Sequence, residues 1–189
     1  YRHNDMEDLE KRLSKLPLED GKLIATDGVF STFGSVVSLD DIAALGKKYN
    51  ANVVVDDAHA FGVIGPGGKG TAHHFGVEDD VDLMICTFSK TLASIGGFVV
   101  GDEKVINYLK HKSPALIFSA SPTPASVASS IAALEVLKAH PELPAKVCAN
   151  TEFVRQGLKD SGFQVVDGET AIVPVIIGDD DKTFKIWKM

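Results

Sequence analysis

The stretch Asn52-Val53-Val54-Val55-Asp56-Asp57-Ala58-His59 decides the fold, because an apolar, β-branched run ends there in two acids and an imidazole. The run does not alternate between apolar and polar residues. It therefore predicts a central parallel strand, Asn52–Asp57, that is covered on both faces. A second continuous run, Val81–Thr87, predicts a neighbouring strand of the same kind. Helical patterns separate the predicted strands, and this alternation indicates an α/β fold with a mainly parallel sheet.

Helix caps, proline breaks and short apolar runs predict the remaining elements. In chain order these are a helix capped by Asn4 and ended by Pro17, a strand Lys22–Thr26, a helix capped by Ser38, a strand Gly96–Gly101, a helix Glu103–His111, a helix that starts at Thr123-Pro124, a helix over 145–158, strands Phe163–Val166 and Ala171–Ile177, and a last helix that begins near Lys182. Pro141 and Pro144 mark a break in the pattern. We therefore predict two domains: residues 1–140 form part of a large domain, and residues 141–189 begin a smaller α+β domain.

The composition argues against several classes of protein. A formal net charge of −7 disfavours a large nucleic-acid-binding surface. Charges or glycines interrupt every apolar run, so no transmembrane segment is predicted. Cys86 and Cys148 have no paired spacing, which disfavours a disulfide framework or a zinc site and favours a reducing, cytoplasmic setting. The pair His73-His74 has no carboxylate or third histidine at ligand spacing, so no metal site is predicted.

Three side chains at predicted strand ends carry distinctive chemistry: Asp56, His59 and Lys90. Lys90 follows the second strand in Thr87-Phe88-Ser89-Lys90 and stands among small and apolar residues, which predicts an apolar pocket around it. Ligands of open α/β sheets bind beyond the carboxyl ends of the strands. A lysine forms a Schiff base with the aldehyde of pyridoxal phosphate, an aspartate pairs with its pyridine nitrogen, and a histidine bonds its phenolic oxygen. The alternative is a capping acid, a structural histidine and a solvated lysine.

Four hydroxyl residues are further candidates. Thr87 and Ser89 offer hydroxyls to a phosphate, and the alternative is local backbone bonding in a turn. Ser31 follows a predicted strand and Ser119 precedes a predicted helix, positions where turn and loop serines are ordinary. The glycine-rich loop Gly65–Gly70 does not fit the Walker pattern, because a glycine follows its lysine, so no nucleotide site is predicted there.

Taken together, these segments resemble the α-oxoamine synthases, which are pyridoxal-phosphate enzymes of the aspartate-aminotransferase fold type. The resemblance covers essentially the whole chain, and the motifs occur in the family's order. The matching segments are Asn4-Asp5-Met6, Thr26-Asp27-Gly28-Val29-Phe30-Ser31, Val55-Asp56-Asp57-Ala58-His59, Gly62-Val63-Ile64-Gly65, Thr87-Phe88-Ser89-Lys90 and Phe118-Ser119-Ala120-Ser121. The implied fold has three layers around a mainly parallel sheet, followed by the start of a smaller α+β C-terminal domain.

The resemblance also implies a role for each candidate residue. Lys90 would be the Schiff-base lysine and the catalytic base, and Asp56 would pair with the pyridine nitrogen. The family builds its sites at a subunit interface, so a homodimer with shared active sites is implied. The other implied contacts are His59 and Ser31 to the phenolic oxygen, Thr87 and Ser89 to the phosphate, and Ser119 to the phosphate in the other subunit's site.

The implied reaction is the condensation of an amino acid with an acyl-CoA, with loss of CoA and carbon dioxide, to give an aminoketone. The segment from Thr87 to Phe98 looks most like the serine palmitoyltransferase branch of the family. Glycine C-acetyltransferase is the runner-up, supported by Asn4-Asp5-Met6, and 8-amino-7-oxononanoate synthase is third. Many members continue the serine motif with Met-Asp-Gly, whereas this chain has Thr32-Phe33-Gly34, which leaves the acyl-chain preference open.

Other interpretations stay open from the residues alone. They are another pyridoxal-phosphate reaction on the same fold, such as transamination, a non-catalytic partner subunit, and a binding module without a cofactor. The family's phosphate loop and ring-stacking histidine are expected upstream of this stretch, and its carboxylate-binding arginine downstream. We therefore expect the chain to be a fragment that is inactive by itself.

Overall fold

The computed structural model describes all 189 residues and contains one four-stranded sheet in the order β1-β2-β3-β4. The strands are β1 (Lys22–Asp27), β2 (Ala51–Asp56), β3 (Leu83–Thr87) and β4 (Gly97–Gly101). β1, β2 and β3 are parallel, whereas β4 runs antiparallel to β3. The mainly parallel α/β sheet predicted from the sequence is thus confirmed.

Eight helices surround or follow the sheet. They are α1 (Met6–Leu13), α2 (Leu39–Tyr49), α3 (Thr71–Phe75), α4 (Glu103–Lys112), α5 (Pro114–Ile117), α6 (Pro124–Ala139), α7 (Leu143–Asp160) and α8 (Asp180–Lys188). Single 3₁₀ turns lie at Pro66–Gly68 and Glu78–Asp80. None of the helices is both long enough and apolar enough to cross a membrane.

The main core lies between α1, α2 and one face of the sheet. Its buried apolar members are Leu9, Leu13, Ile24, Val37, Leu39, Ile42, Ala51, Val53, Val55 and Ala72. Burial alternates along β2: Val53 and Val55 are buried, whereas Asn52 is exposed and Val54 is half-buried. The sequence predicted that this strand is covered on both faces, but in this chain helices bury only one face fully. Side chains point alternately to the two faces of a strand, so covering one face buries every second residue.

The first helix is capped by Asp5 and not by Asn4 as the sequence predicted. The Asp5 carboxylate accepts a hydrogen bond from the Asp8 amide at 2.8 Å. Asn4 instead adopts a left-handed backbone conformation with φ of 51°. Its side chain donates to the Val36 carbonyl at 2.9 Å and accepts from the Ser38 amide at 3.0 Å. Asn4 therefore fastens the start of the chain to the segment that leads into α2.

The two strands predicted near the C-terminus are wrong. Only an isolated antiparallel bridge, Val165 to Val175, joins these segments. The buried guanidinium of Arg155 lies within 3.4 Å of the carbonyls of Thr170 and Ile172, which are therefore already occupied. An isolated two-stranded pairing is also only marginally stable. The division into domains 1–140 and 141–189 stays a prediction.

The capping geometry of α1 gives a stability prediction. In the intact protein, Asp5→Ala is expected to lower the free energy of unfolding by about 1 kcal/mol, because an orphan amide loses its acceptor. Glu7→Ala is the matched control, since Glu7 is an exposed acid in the same turn, and it should change stability by less than about 0.5 kcal/mol. Urea denaturation measures both variants, and equal losses would contradict the assignment of the cap.

Candidate functional site

The predicted chemical residues meet at the carboxyl edge of the three parallel strands. Asp27 at the end of β1 is paired in register with Asp56 at the end of β2. Asp56 is paired in turn with Ile85 of β3, two residues before Thr87. Parallel strands deliver the residues that follow them to one edge of the sheet. The turns that hold His59 and Lys90 therefore open on the same side.

Asp56 is half-buried and keeps one carboxylate oxygen available. Its Oδ1 accepts a hydrogen bond from the Ala58 amide at 3.0 Å, which forms a tight turn after β2. No hydrogen bond within the chain uses Oδ2. The Asp56 carbonyl accepts from the Gly28 amide at 2.8 Å, and this bond fixes the backbone at the strand end. The geometry leaves a carboxylate oxygen that can bond a cationic ring nitrogen.

His59 lies in the turn that follows β2 and is half-buried. Burial lowers the pKa of His59 below its ordinary value, and the positive charge of Lys90 lowers it further. The negative charges of Asp27 and Asp56 oppose this effect. Lys90, Asp27 and Asp56 therefore all lie close enough to His59 for their charges to act on it. A neutral imidazole has one donor and one acceptor nitrogen, so His59 can bond an oxygen without adding charge.

Lys90 lies in the turn Phe88–Ala93 after β3. Two backbone bonds close this turn, from the Ala93 amide to the Lys90 carbonyl at 3.0 Å and from the Ser94 amide to the Phe88 carbonyl at 2.8 Å. The predicted apolar pocket around Lys90 is wrong for this chain, because the Lys90 side chain is exposed. Its apolar neighbour Leu92 points inward and is only 3% exposed. The turn thus buries its leucine and presents its lysine outward.

Thr87 and Ser89 form a hydroxyl pair beside Lys90. Their hydroxyl oxygens are 2.8 Å apart, and the Ser89 amide donates to Thr87 Oγ1 at 3.2 Å. Thr87 also donates to the Gly96 carbonyl at 3.2 Å. The local turn bonding considered as the alternative is therefore present. The same arrangement offers two hydroxyls and a strand-end turn to an anionic group.

Ser31 and Ser119 are less connected to the cluster. Ser31 is exposed in the loop that follows Phe30, and Ser119 is exposed after α5, where its hydroxyl bonds the Ala115 carbonyl. No hydrogen bond joins either serine to Asp56 or His59. The structure therefore brings Asp56, His59, Lys90, Thr87 and Ser89 to one edge and leaves the two serines as separate loop positions.

Sequence reasoning did not select Asp27 or Thr91 as site residues. Asp27 has the same signal as Asp56, an acid at the end of an apolar strand, and was recoverable on that ground. The Thr91 hydroxyl donates to the Phe61 carbonyl at 2.8 Å, and its methyl group lies against Gly62. This contact ties the Lys90 turn to the His59 turn. No local sequence pattern signals it, because the two residues are 30 positions apart.

A separate cleft of about 730 Å³ lies on the outer part of the sheet. Its charged lining includes Lys69, His73, Glu78, Asp82 and Asp102. None of the predicted site residues lines it. The candidate site at the edge of the sheet is therefore identified by its chemistry and not by the volume of a cavity.

Comparison with known proteins agrees with this description. A sequence profile of the family described as Aminotransferase class I and II matches residues 1–189. The chain is 51% identical, over all 189 residues, to a serine palmitoyltransferase of Sphingobacterium spiritivorum, and it covers 47% of that protein. It is 43% identical over 182 residues, or 96% of its length, to 8-amino-7-oxononanoate synthase 1 of Bacillus velezensis, and it covers 46% of that protein. The chain spans about half the length of the curated relatives it matches.

Solved structures of relatives have the same fold. The serine palmitoyltransferase of Sphingomonas wittichii superposes with a TM-score of 0.91 at 36% identity, over 100% of this chain and 48% of that one. A structure described as SPT with PLP internal aldimine superposes with a TM-score of 0.93 at 35% identity, over 99% of this chain and 48% of that one. The predicted fold class and the predicted resemblance to the α-oxoamine synthases are confirmed.

The electrostatics of the cluster give a test in the intact apo-protein. The pKa of His59, followed by NMR, should lie below its ordinary value of 6.5. Lys90→Met should raise this pKa because it removes a neighbouring positive charge, and Asp27→Asn should lower it because it removes a negative one. Lys104→Met, on the exposed face of α4, is the charge-matched control and should leave it unchanged. A fall in the pKa on removal of Lys90 would contradict the arrangement.

The same shift has a consequence for stability. A histidine whose pKa is lower in the folded state binds fewer protons there than in the unfolded chain. The free energy of unfolding therefore decreases as the pH falls from the ordinary pKa of histidine, 6.5, towards the lower pKa of His59 in the folded protein.

Proposed function

The chain belongs to the aminotransferase class I and II family, and from that membership we propose that it is part of a pyridoxal 5'-phosphate-dependent acyltransferase. The proposed substrates are an amino acid, serine in the first place, and a long-chain acyl-CoA. The product is an aminoketone, formed with loss of CoA and carbon dioxide. One observation carries the proposal: 51% identity to a serine palmitoyltransferase along the whole chain, with Asp56, His59 and Lys90 gathered at one edge of the sheet.

The residues at that edge suit pyridoxal phosphate. Asp56 has a free carboxylate oxygen for the pyridine nitrogen, and His59 is a neutral hydrogen-bonding ring beside it. Lys90 is exposed in the turn after β3, at the same edge of the sheet, and its charge acts on His59. When bound, the cofactor supplies an electron sink for the bond-breaking at the α-carbon of the amino acid. Support for this cofactor also comes from the related SPT whose structure contains PLP as an internal aldimine.

Each candidate residue has a separate proposed role in the reaction. Asp56 holds a proton on the ring nitrogen through a charge-assisted hydrogen bond. The Lys90 amine removes the proton from the substrate α-carbon and later returns one to the product. His59 orients the ring and the substrate carboxylate. Thr87 and Ser89 bind the phosphate, Ser31 assists His59 at the phenolic oxygen, and Ser119 reaches the phosphate of the partner subunit's site.

The last of these roles requires a particular assembly. We propose a homodimer with shared active sites in the cytoplasm, in which residues 1–140 belong to the cofactor-binding domain and residues 141–189 begin the smaller one. Because the curated relatives are about twice as long, we also propose that the 189 residues are inactive by themselves.

A second candidate activity is that of an 8-amino-7-oxononanoate synthase. It is favoured by 43% identity to such an enzyme over 182 residues. Glycine C-acetyltransferase stays the alternative drawn from the sequence motifs. All three share the cofactor and the acyl-CoA chemistry and differ in substrates. The exposed side chain of Phe33 follows Ser31 closely and departs from the family's usual serine motif, so it is a candidate for setting the acyl preference.

Release of CoA by the intact protein with pyridoxal phosphate tests the proposal. Serine and glycine are each paired with palmitoyl-CoA and acetyl-CoA. We expect the fastest release with serine and palmitoyl-CoA. Lys90→Ala should lower kcat by at least about a hundredfold, because the proton-transferring group is lost. Lys104→Ala, which removes an exposed lysine of α4, should not.

Other patterns of CoA release would assign a different activity. Fastest release with glycine and acetyl-CoA would move the protein to the glycine C-acetyltransferase branch. No release from any of the four pairs would contradict a serine palmitoyltransferase and a glycine C-acetyltransferase alike.

A further inference from the structure

Directly after Asp56 comes a second acid, Asp57, that faces the opposite way and is fully buried. Asp57 is 0% exposed, and so is Thr71 at the start of α3. The Asp57 carboxylate accepts a hydrogen bond from the Thr71 amide at 2.8 Å, and its other oxygen accepts one from the Thr71 hydroxyl. No cation pairs with it. An acid buried in this way is costly unless every oxygen is bonded.

The space around this carboxylate is closed by two glycines. A Cβ atom on Gly28 would come within 2.0 Å of Asp57 Oδ1, and one on Gly70 would come within 2.0 Å of Oδ2. Both glycines are buried, and Gly70 has a φ of 96°. The chain thus brings the end of β1, the end of β2 and the start of α3 together around one carboxylate. Burial raises the pKa of Asp57, and the two bonds from Thr71 oppose that rise.

The backbone of Asp57 closes the turn that carries His59. The Asp57 carbonyl accepts from the Ala60 amide at 3.0 Å and from the Phe61 amide at 2.9 Å. Its own amide donates to the Ile85 carbonyl of β3 at 2.8 Å. His59 lies between these bonds, so the position of its ring follows from where Asp57 is held. The Asp57 side chain is the only group that fastens this turn to α3 through a side-chain bond.

We propose that Asp57, held by Thr71, is a positioning residue that fixes the His59 turn and the Asp56 carboxylate against Lys90. It touches no substrate and acts through Asp56, which precedes it, and through His59, two residues later in the chain. The expected effect on activity rests on the proposed function. The expected effect on the position of His59 does not, because it is measured in the protein without cofactor or substrate. A misplacement of a catalytic group by about 1 Å can cost on the order of a hundredfold in rate, so such a support has a measurable effect.

The test uses Thr71, because its variants change no charge. Thr71→Val removes the hydroxyl that bonds Asp57 and keeps a similar volume, whereas Thr71→Ser keeps the hydroxyl. The pKa of His59, measured by NMR in the intact apo-protein, is the first readout. The charges that act on His59 belong to Lys90, Asp27 and Asp56, and Asp57 is not among them. A shift in Thr71→Val therefore reports a change of position and solvation.

We expect Thr71→Val to raise the pKa of His59 towards its ordinary value, because a looser turn exposes the imidazole and burial is the main cause of the depression. Thr71→Ser should keep the original pKa. In the loaded protein, Thr71→Val should lower kcat between about tenfold and a hundredfold with KM little changed, and Thr71→Ser should recover most of it.

A second pair of variants, at Asp57, separates loss of the hydrogen bonds from loss of folding. Asp57→Asn can still accept from the Thr71 amide, and its amide group can donate to the Thr71 hydroxyl oxygen. It should resemble Thr71→Ser in both readouts, whereas Asp57→Ala should resemble or exceed Thr71→Val.

Two results would overturn the proposal. One is an unchanged pKa of His59 in both Thr71→Val and Asp57→Ala. The other is a loss of activity that follows only the unfolded fraction of each variant, seen by circular dichroism. Failure of the proposed function appears separately, as absence of CoA release from the unmodified protein, and leaves the His59 measurement in the apo-protein fully informative.

Discussion

The parallel register of β1, β2 and β3 is the constraint on which the site depends. Asp27 lies opposite Asp56, so β1 and β2 end at one level, and Asp56 lies opposite Ile85, so β3 continues two residues further, to Thr87. Each crossover returns the chain to the same starting edge, and the residues after each strand therefore collect at the opposite edge. A slip by one residue would turn every side chain of a strand to the other face. The register thus decides which of two adjacent acids faces the candidate site.

The two acids at the end of β2 have opposite environments that follow from this register. Asp56 is half-buried and has one carboxylate oxygen without a hydrogen bond, whereas Asp57 is fully buried and accepts hydrogen bonds from Thr71 at both oxygens. No side chain larger than a hydrogen fits against the buried carboxylate, which explains Gly28 after β1 and Gly70 before α3. Adjacent residues at the end of β2 therefore serve the candidate site, through Asp56, and the buried contact that supports it, through Asp57.

Much of this arrangement could be predicted from the sequence. Continuous apolar runs that stop in polar residues predict the strand end at Thr87, and they predict the other at Asp57, one residue past the observed end at Asp56, with His59 and Lys90 beyond them. The reversal of β4 could not be predicted, because a short strand carries no signal for its direction. The bond between Asp57 and Thr71 spans 14 residues, and the false strands near Val165 and Val175 fail through a buried arginine elsewhere in the chain. Such features depend on tertiary contacts that local patterns do not contain.

We propose above all that Lys90 holds the cofactor at the edge that Asp56 and His59 define. The most direct measurement adds pyridoxal phosphate to the intact protein, reduces it with sodium borohydride and maps the modified peptide by mass spectrometry. We expect stoichiometric modification of Lys90, its loss in Lys90→Ala, and an unmodified Lys104. Modification spread over exposed lysines, or concentrated on a lysine other than Lys90, would contradict it.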